Sequence, residues 1–287
     1  MIKKNKKPTS YFLQTNRGFT FIELLIVIFI ISLLSQIIYA SLNSAREKAR
    51  MAANILFEAS VLHSIGDRLV GEWKFDQPAV NSKTADTSGY GNDGIINNPI
   101  YEAIGGYDRK GVYMFTNQNN QFIDIGNKAV LDLSKLSSFT ESVWINTNGL
   151  SNRVQFIINK FVSGSILLRN NSLEFGGFSN PISPNKIPIN KWVYIAIVYN
   201  GSNLLFYVNG VLDFKTSVSG NLILSSVTFI SSPGNGFLGK IDSVRIYSSS
   251  LTAMDIKNIY AKESPHYQDL TMWSDLKNNL ISLNYKI

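Results

Sequence analysis

The chain contains no cysteine among its 287 residues, so no disulfide bond can stabilise it. Histidine is almost as scarce: the two residues are His63 and His266. Both lie outside residues 70–262, which are predicted below to form a β domain. A Ser-His-Asp triad inside that domain would therefore lack its base. No glycine-rich phosphate loop is present either. Stability must come from a packed core, and several classes of enzyme are disfavoured.

Acidic residues are absent from the first 18 positions, which hold five of the 27 basic side chains: Lys3, Lys4, Lys6, Lys7 and Arg17. The rest of the chain has 22 basic and 20 acidic side chains. The formal charge of +7 is therefore mostly a property of this leader and gives no support for nucleic-acid binding. Basic residues before an apolar segment hold the amino terminus on the cytoplasmic side of a membrane.

An apolar run follows the leader from Phe19 to Ala40, and Glu23 is its only charged residue. At about 1.5 Å per residue the run would span roughly 33 Å, enough for a hydrocarbon core of about 30 Å. We predict a transmembrane segment over 19–40. An ionisable residue within such a segment is a candidate for function, although Glu23 near the interface could also remain hydrated.

Gly18, Phe19, Thr20 and Glu23 lie in the order found in the class III signal of type IV pilins and pseudopilins, which this stretch resembles. The resemblance implies that a prepilin peptidase cleaves after Gly18 and methylates Phe19. It also implies that Glu23 compensates the charged amino terminus of a neighbouring subunit during assembly. A secretory signal peptide is disfavoured because Ile38-Tyr39-Ala40 is a poor cleavage site.

Helical periodicity continues through 41–69 without a proline. We predict one helix from Phe19 to Arg68, about 75 Å long, as the pilin-like segment 19–69 after the leader 1–18. Its outer half would pack on the head or on neighbouring stems. A coiled-coil stalk is the alternative.

The pattern then becomes alternating, which predicts an antiparallel sandwich over 70–262. The predicted strands are 69–76, 112–115, 121–125, 139–146, 154–160, 165–168, 192–199, 204–209, 211–216, 227–231 and 240–247. Asp86–Gly94 is rich in turn residues, and Asn209-Gly210 predicts a tight hairpin. A short helix is expected over 251–261, capped by Thr252 with Asp255 in its first turn.

This region resembles the laminin-G-like, concanavalin A-like jelly roll. The segments that carry the resemblance are Gly71–Asp76, Asp86–Gly94, Asn190–Trp192, Tyr199–Ser202, Tyr207–Gly210 and Gly239–Tyr247. The predicted fold is thus a long helix, membrane-spanning in its first half, followed by an all-β antiparallel sandwich with a short carboxy-terminal helix. The tail 263–287 could dock on the head or on a partner subunit. The resemblance implies binding of glycans or proteins, structural calcium in some members and glycosidase activity in a few.

Candidate calcium ligands are Asp76 and Asp242, although exposed carboxylates at strand ends are the favoured interpretation. Ser243 replaces a second aspartate that the family often carries, and Thr116–Gln121 has no charge, which weakens a calcium site. We expect no required cofactor. The loop aromatics Tyr90, Tyr107, Phe178 and Phe237 are candidate ligand-binding residues. The aromatics placed in the core or half-core are Trp144, Trp192, Tyr199 and Tyr207.

Glycoside hydrolysis needs two carboxylates across the scissile bond, and Glu141 and Glu174 each stand alone in a strand. An enzyme is therefore not expected. We predict a minor pilin or pseudopilin of a type IV pilus or type II secretion-like filament, with a lectin-like head displayed for adhesion. The alternatives are a monomeric membrane-tethered carbohydrate-binding protein that keeps its leader, and a glycosidase with a distributed site.

The expected partners are other pilin subunits through the amino-terminal helix, the prepilin peptidase, inner-membrane lipid before assembly, and a glycan or surface protein; nucleic acid is not expected. The chain would cross the membrane once, with its amino terminus cytoplasmic and its head outside. After assembly it would lie in an extracellular filament.

Overall fold

The computed structural model describes residues 20–116, 120–149, 153–161, 163–223 and 227–264, with side chains of the first helix described at 21–36, 38, 39, 41, 42, 45, 46, 48, 49, 65 and 66. The chain divides into two compact units, Met1–Ser60 and Val61–Ile287. Gly18, Phe19 and all of the tail beyond residue 264 lie outside the described residues.

The first helix, α1, runs from Phe21 to Gly66. Thr20 and Glu23 form its amino-terminal cap: the Thr20 backbone N–H and hydroxyl both donate to Glu23 Oε2 at 2.9 Å, and the Glu23 N–H donates to Thr20 Oγ1 at 3.2 Å. Such reciprocal bonds satisfy backbone donors that the first turn leaves unpaired. Within the part of the chain that the structure describes, no helix is long and apolar enough to cross a membrane.

The part of the chain after α1, which we call the head, contains sixteen strands and a second helix within its described residues. The strands are β1 Leu69–Trp73, β2 Lys83–Thr84, β3 Gly94–Asn97, β4 Ile100–Glu102, β5 Val112–Thr116, β6 Phe122–Gly126, β7 Phe139–Thr147, β8 Val154–Asn159, β9 Ser165–Arg169, β10 Ser172–Gly176, β11 Ile182–Lys186, β12 Trp192–Tyr199, β13 Asn203–Val208, β14 Val211–Ser217, β15 Thr228–Ser231 and β16 Leu238–Tyr247. The second helix, α2, spans Ala253–Glu263. The predicted order of a long helix, an all-β antiparallel sandwich and a short carboxy-terminal helix is confirmed.

The strands form two antiparallel sheets. Sheet A has the order β14-β13-β12-β7-β16-β5-β4, with β1 also paired to β16. Sheet B has the order β11-β10-β9-β8-β15-β6-β3-β2. In the hairpin between β13 and β14, Asn209 and Gly210 have φ of 50° and 76°, as the sequence predicted.

Both faces of the central strands of sheet A are buried. On β7 and β12, Val143 and Ile195 point into the core between the sheets, whereas Trp144 and Tyr194 join a second apolar cluster on the outer face. Leu251, Ile256 and Ile259 of the α2 region belong to that outer cluster. Burial on both faces explains the nearly continuous apolar sequence of β12.

Thr252 caps α2: its side chain accepts from the Asp255 N–H, and the Asp255 side chain accepts from the Thr252 N–H, each bond near 3 Å. The predicted cap is confirmed, and it fixes the helix whose last turn supplies Glu263 to the site described below.

Candidate ligand-binding cleft

A cavity of about 400 Å³ opens beside the outer face of sheet A, between β1, the second half of β16 and the end of α2. Its polar and charged walls come from Glu72, Lys74, Asp76, Tyr107, Lys110 and Arg245. This volume lies within the range of small-ligand sites, about 300–1,000 Å³. We call it the β1/β16 cleft.

The floor of the cleft is an ion-pair network centred on Arg245, which is 8 % exposed. Its Nε lies 2.8 Å from Glu72 Oε1, and its Nη2 lies 2.7 Å from Glu263 Oε1. The other oxygen of Glu263 accepts from Trp144 Nε1 at 2.9 Å. β1, β7, β16 and α2 are therefore joined by one guanidinium and two carboxylates.

The same network sets the protonation of Glu72. Burial alone would raise the pKa of this carboxyl, but the charge of Arg245 and a hydrogen bond from the Thr87 hydroxyl outweigh it, so the pKa lies below its ordinary value. Glu72 is therefore ionised at neutral pH, and the cleft floor holds fixed charges of both signs.

Tyr107 forms one wall of the cleft, and the prediction that it is a surface aromatic is wrong. It is 8 % exposed and stacks on Trp144, with ring centroids 4.4 Å apart and planes 5° from parallel. Burial, followed by the negative charge of Glu263, raises its pKa. The loop that follows β4 folds back over sheet A, and this long-range packing covers a residue whose neighbours are glycines and charged residues.

Lys110 lies at the mouth of the cleft with two carboxylates. Its Nζ is 2.9 Å from Asp108 Oδ2 and 3.4 Å from Asp76 Oδ2. The hydrogen bond to Asp108 is the main reason that the pKa of Lys110 is raised. Asp76, a predicted calcium ligand, thus has an ammonium group beside it.

Asp242, the other predicted calcium ligand, is 1 % exposed and lies beneath Gly106. Its two oxygens accept no hydrogen bond of good geometry from the described residues. Burial, with the charges of Asp108 and Asp76, raises its pKa well above the ordinary value although nearby backbone N–H groups oppose this. The expectation that Asp242 is an exposed strand-end carboxylate is wrong, because the loop after β4 covers it.

These carboxylates do not fit a calcium site as they stand. Calcium takes six to eight oxygen ligands, usually including several carboxylates. Within the described ranges, no three Asp, Glu or His side chains are grouped so that they could hold one ion. Lys110 instead contacts Asp76 and Asp108.

A second cavity of about 520 Å³ lies on the other side of Lys74 and Asp76, which line both cavities. Its walls include Pro78, Val80 and Asp93. Val80 is 71 % exposed and offers an apolar surface beside these charged groups.

The other predicted ligand aromatics lie apart from one another. Tyr90 is 51 % exposed, in the loop that also supplies Thr87 and Asp93 to the second cavity. Phe178 is half-buried, 4.9 Å from the ring of Tyr199, with φ of 48°. Phe237 is fully buried in the core between the sheets, so its predicted exposure is wrong: it immediately precedes β16, and its N–H donates to Ser231 Oγ.

Glu141 and Glu174, which each stand alone in a strand, are both ion-paired. Glu141 is fully buried between the sheets, with Lys160 Nζ 3.7 Å from its Oε1. Glu174 is 2 % exposed and is held by Arg169, whose Nη2 donates to Glu174 Oε1 at 3.1 Å.

Sequence reasoning did not place Arg245, Glu263 or Lys110 in the candidate cleft. Arg245 did carry a signal, because it is a lone basic residue between Val244 and Ile246 in an otherwise apolar strand end. Lys110 and Glu263 carried none, since they reach the cleft from a loop and a helix end that only the tertiary fold brings there.

Comparisons with known proteins match both parts of the chain. Residues 117–257 match the family model of the Concanavalin A-like lectin/glucanases superfamily, and residues 13–38 match that of the Prokaryotic N-terminal methylation motif. Usherin of Mus musculus is 23 % identical over 152 residues, which is 45 % of this chain and 3 % of usherin. The chain therefore spans a very small part of that curated relative.

Two solved structures resemble the head. The binding domain of Paraclostridial Mosquitocidal Protein 1 has a TM-score of 0.58 at 17 % identity, covering 69 % of this chain and 53 % of that one. Domain 4 of a GH43 extracellular arabinanase from Geobacillus stearothermophilus, solved with arabinotriose, has a TM-score of 0.51 at 21 % identity, covering 67 % of this chain and 98 % of that domain. At these identities the likeness shows the fold alone.

Proposed function

We propose that this chain, in which a prokaryotic N-terminal methylation motif is followed by a concanavalin A-like sandwich, is a minor pilin or pseudopilin whose head binds glycans. The observation that carries the proposal is this order of parts: an assembly signal precedes a binding fold on one chain. The motif at 13–38 supports anchoring in a membrane before assembly and incorporation into a filament afterwards. The large head favours a minor component over the repeating subunit.

Glu23 is the residue we assign to assembly. In the described chain its carboxylate caps α1 together with Thr20, so it lies at the first turn of the helix. During assembly it would compensate the positive amino terminus of a neighbouring subunit, since a buried carboxylate needs a partner. The partners are other pilin subunits and the prepilin peptidase.

The assembly proposal is tested by fractionation. The full-length chain is expressed with its native filament machinery, and sheared filaments are separated from membranes. We expect the wild type and the control Asp67→Asn, an exposed carboxylate at the end of α1, in the filament fraction. Glu23→Gln should stay with the membranes. Equal incorporation of Glu23→Gln would contradict the role of Glu23, and absence of the wild type from filaments would contradict the proposal.

The head is proposed to bind an oligosaccharide without catalysis in the β1/β16 cleft. Support comes from the cleft's volume, its fixed charges of both signs and the arabinotriose complex of the similar arabinanase domain. The ion pairs of Glu141 and Glu174 support a head with no catalytic pair of carboxylates. Structural integrity would not require a cofactor.

An oligosaccharide array that includes arabino-oligosaccharides tests the binding site. Any ligand found should bind Lys74→Met at least about tenfold more weakly, a loss of about 1.4 kcal/mol. Lys215→Met is the control, because Lys215 is exposed on β14 at the opposite end of sheet A. Equal affinity of the wild type, Lys74→Met and Lys215→Met would mean that the ligand binds outside the β1/β16 cleft. Turnover of any glycan would contradict a non-catalytic head.

A further inference from the structure

We infer that Lys110 is a built-in cation that takes the place of a divalent metal at the rim between the first and last strands of the head. Asp76 and Asp108 both contact Lys110 there, and Asp242 lies beneath Gly106 of the same loop. Asp242 is 1 % exposed, and the charges of Asp108 and Asp76 reach it. Negative groups gathered at a partly buried rim are costly unless a positive charge compensates them.

Lys110 supplies that charge from within the chain. Its Nζ lies 2.9 Å from Asp108 Oδ2 and 3.4 Å from Asp76 Oδ2. Its backbone is held as well, because its N–H donates to Asp108 Oδ1 at 3.0 Å and its carbonyl accepts from the Gly106 N–H at 2.9 Å. Although the Lys110 side chain is 60 % exposed, hydrogen bonds hold its backbone at this rim and two carboxylates hold its ammonium group.

The loop that carries Lys110 lies directly on Asp242 and on Phe75, two residues after the end of β1. A Cβ atom at Gly106 would come within 2.6 Å of Asp242 Oδ2, and one at Gly111 within 2.4 Å of the Phe75 carbonyl oxygen. Only glycine allows such close approach. The loop is therefore a fixed base from which the ammonium group reaches Asp76 and Asp108.

A lysine ammonium and a calcium ion make different demands on a site. Calcium needs six to eight oxygens around it, whereas an ammonium is a compact charge with three donors. The described carboxylates provide no group of three that shares one ion, but two of them share Lys110. The inference implies that the stability of the head does not depend on calcium. It also implies that, without Lys110, a divalent cation can compensate the charges of Asp76 and Asp108 although no third carboxylate completes its coordination.

Thermal unfolding of the full-length protein in detergent tests this inference, in EDTA and in about 5 mM calcium, which exceeds the Kd range of extracellular calcium modules. The wild-type midpoint should differ by less than about 1 °C between the two conditions. Lys110→Met should unfold about 2–4 °C lower in EDTA, as expected for a loss near 1 kcal/mol in a domain of this size. Calcium should restore most of that shift, and Lys110→Arg should behave as the wild type.

Lys135→Met is the matched control. Lys135 is also an exposed lysine, 67 % exposed, but it pairs with the single carboxylate of Asp132 at 3.5 Å. Its variant should not gain a calcium response. A calcium-dependent rise of the wild-type midpoint, or Lys110→Met that does not respond to calcium, would overturn the inference. If Lys110→Met does not fold, calorimetric titration of calcium into the wild type provides a second test. Saturable calcium binding by the wild type would also overturn the inference.

Discussion

Two clusters of buried ionisable groups in the head differ in how well their charges are compensated. On the outer face of sheet A, Arg245 lies between Glu72 and Glu263, with its closest nitrogen–oxygen distances at 2.8 and 2.7 Å. Between the sheets, Lys160 lies 3.7 Å from Glu141, and neither Glu141 oxygen has a hydrogen bond from the described residues. One cluster is well hydrogen-bonded, whereas the other places two desolvated ionisable groups 3.7 Å apart without a hydrogen bond between them.

The difference follows from side-chain geometry and from location. The planar guanidinium of Arg245 presents several donors that two carboxylates can share, whereas the ammonium of Lys160 is a single point of charge. Lys160 also donates to the Leu131 carbonyl at 3.2 Å and to Thr228 Oγ1 at 3.3 Å, which draws it away from Glu141. We infer that the Arg245 network links β16 to β1 and α2, and we expect the Glu141–Lys160 pair to add little net stability.

The largest effect is expected from Arg245→Met. This change leaves the buried Glu72 and the half-buried Glu263 without their shared cation, and breaking a buried pair typically costs about 3–5 kcal/mol. Urea unfolding of the full-length protein measures the loss. Arg245→Lys should recover part of it by restoring charge without the planar fork. A loss below about 1 kcal/mol for Arg245→Met would show that the network does not hold the head together.

The double variant Glu141→Leu, Lys160→Met tests whether the Glu141–Lys160 pair adds little net stability. Replacing a poorly hydrogen-bonded buried pair with apolar side chains is often neutral or stabilising by about 1–4 kcal/mol. We expect the double variant to unfold at the same urea concentration as the wild type or at a higher one, and each single variant to unfold earlier. A double variant as unstable as Lys160→Met alone would mean that the pair stabilises the core.

A smaller effect is expected from pH. Burial raises the pKa of Glu141 to about 7, above its ordinary 4.5, although Lys160 opposes the shift. Between these values the folded state holds a proton that the unfolded state has lost. This contribution to stability is complete below pH 4.5 and disappears as pH rises through 7.

Glu141→Gln removes that titration. Between pH 5 and 8 the wild type should lose up to about 3 kcal/mol relative to Glu141→Gln, measured by urea unfolding at each pH. Parallel stability curves for the two proteins would contradict a proton on Glu141 in the folded state.

Local signals predicted the regular parts of the head. The apolar run of β12, the Asn209-Gly210 turn and the Thr252–Asp255 cap depend on residues near one another in sequence, and all three are confirmed. β11 was missed because Pro184 and its polar neighbours resemble a loop. Proline is tolerated there because β11 is an edge strand of sheet B.

The candidate site was harder to predict because distant segments build it. Glu72 and Arg245 are 173 residues apart in sequence, yet they share a hydrogen bond. Asp76 was identified, but Lys110 was not, since no local pattern indicates which cation faces a carboxylate. Tyr107 and Phe237 are buried by tertiary packing although their loops contain many small and polar residues.

The amino-terminal sequence and intact mass of the protein from its native envelope test the central claim most directly. We predict a chain that begins at N-methylated Phe19, as cleavage after Gly18 and methylation by a prepilin peptidase require. A chain that still begins at Met1 would contradict a prepilin-type subunit and favour a tethered binding protein. Cleavage near Ala40 would contradict it as well, because the head would then be secreted without the segment that enters a filament.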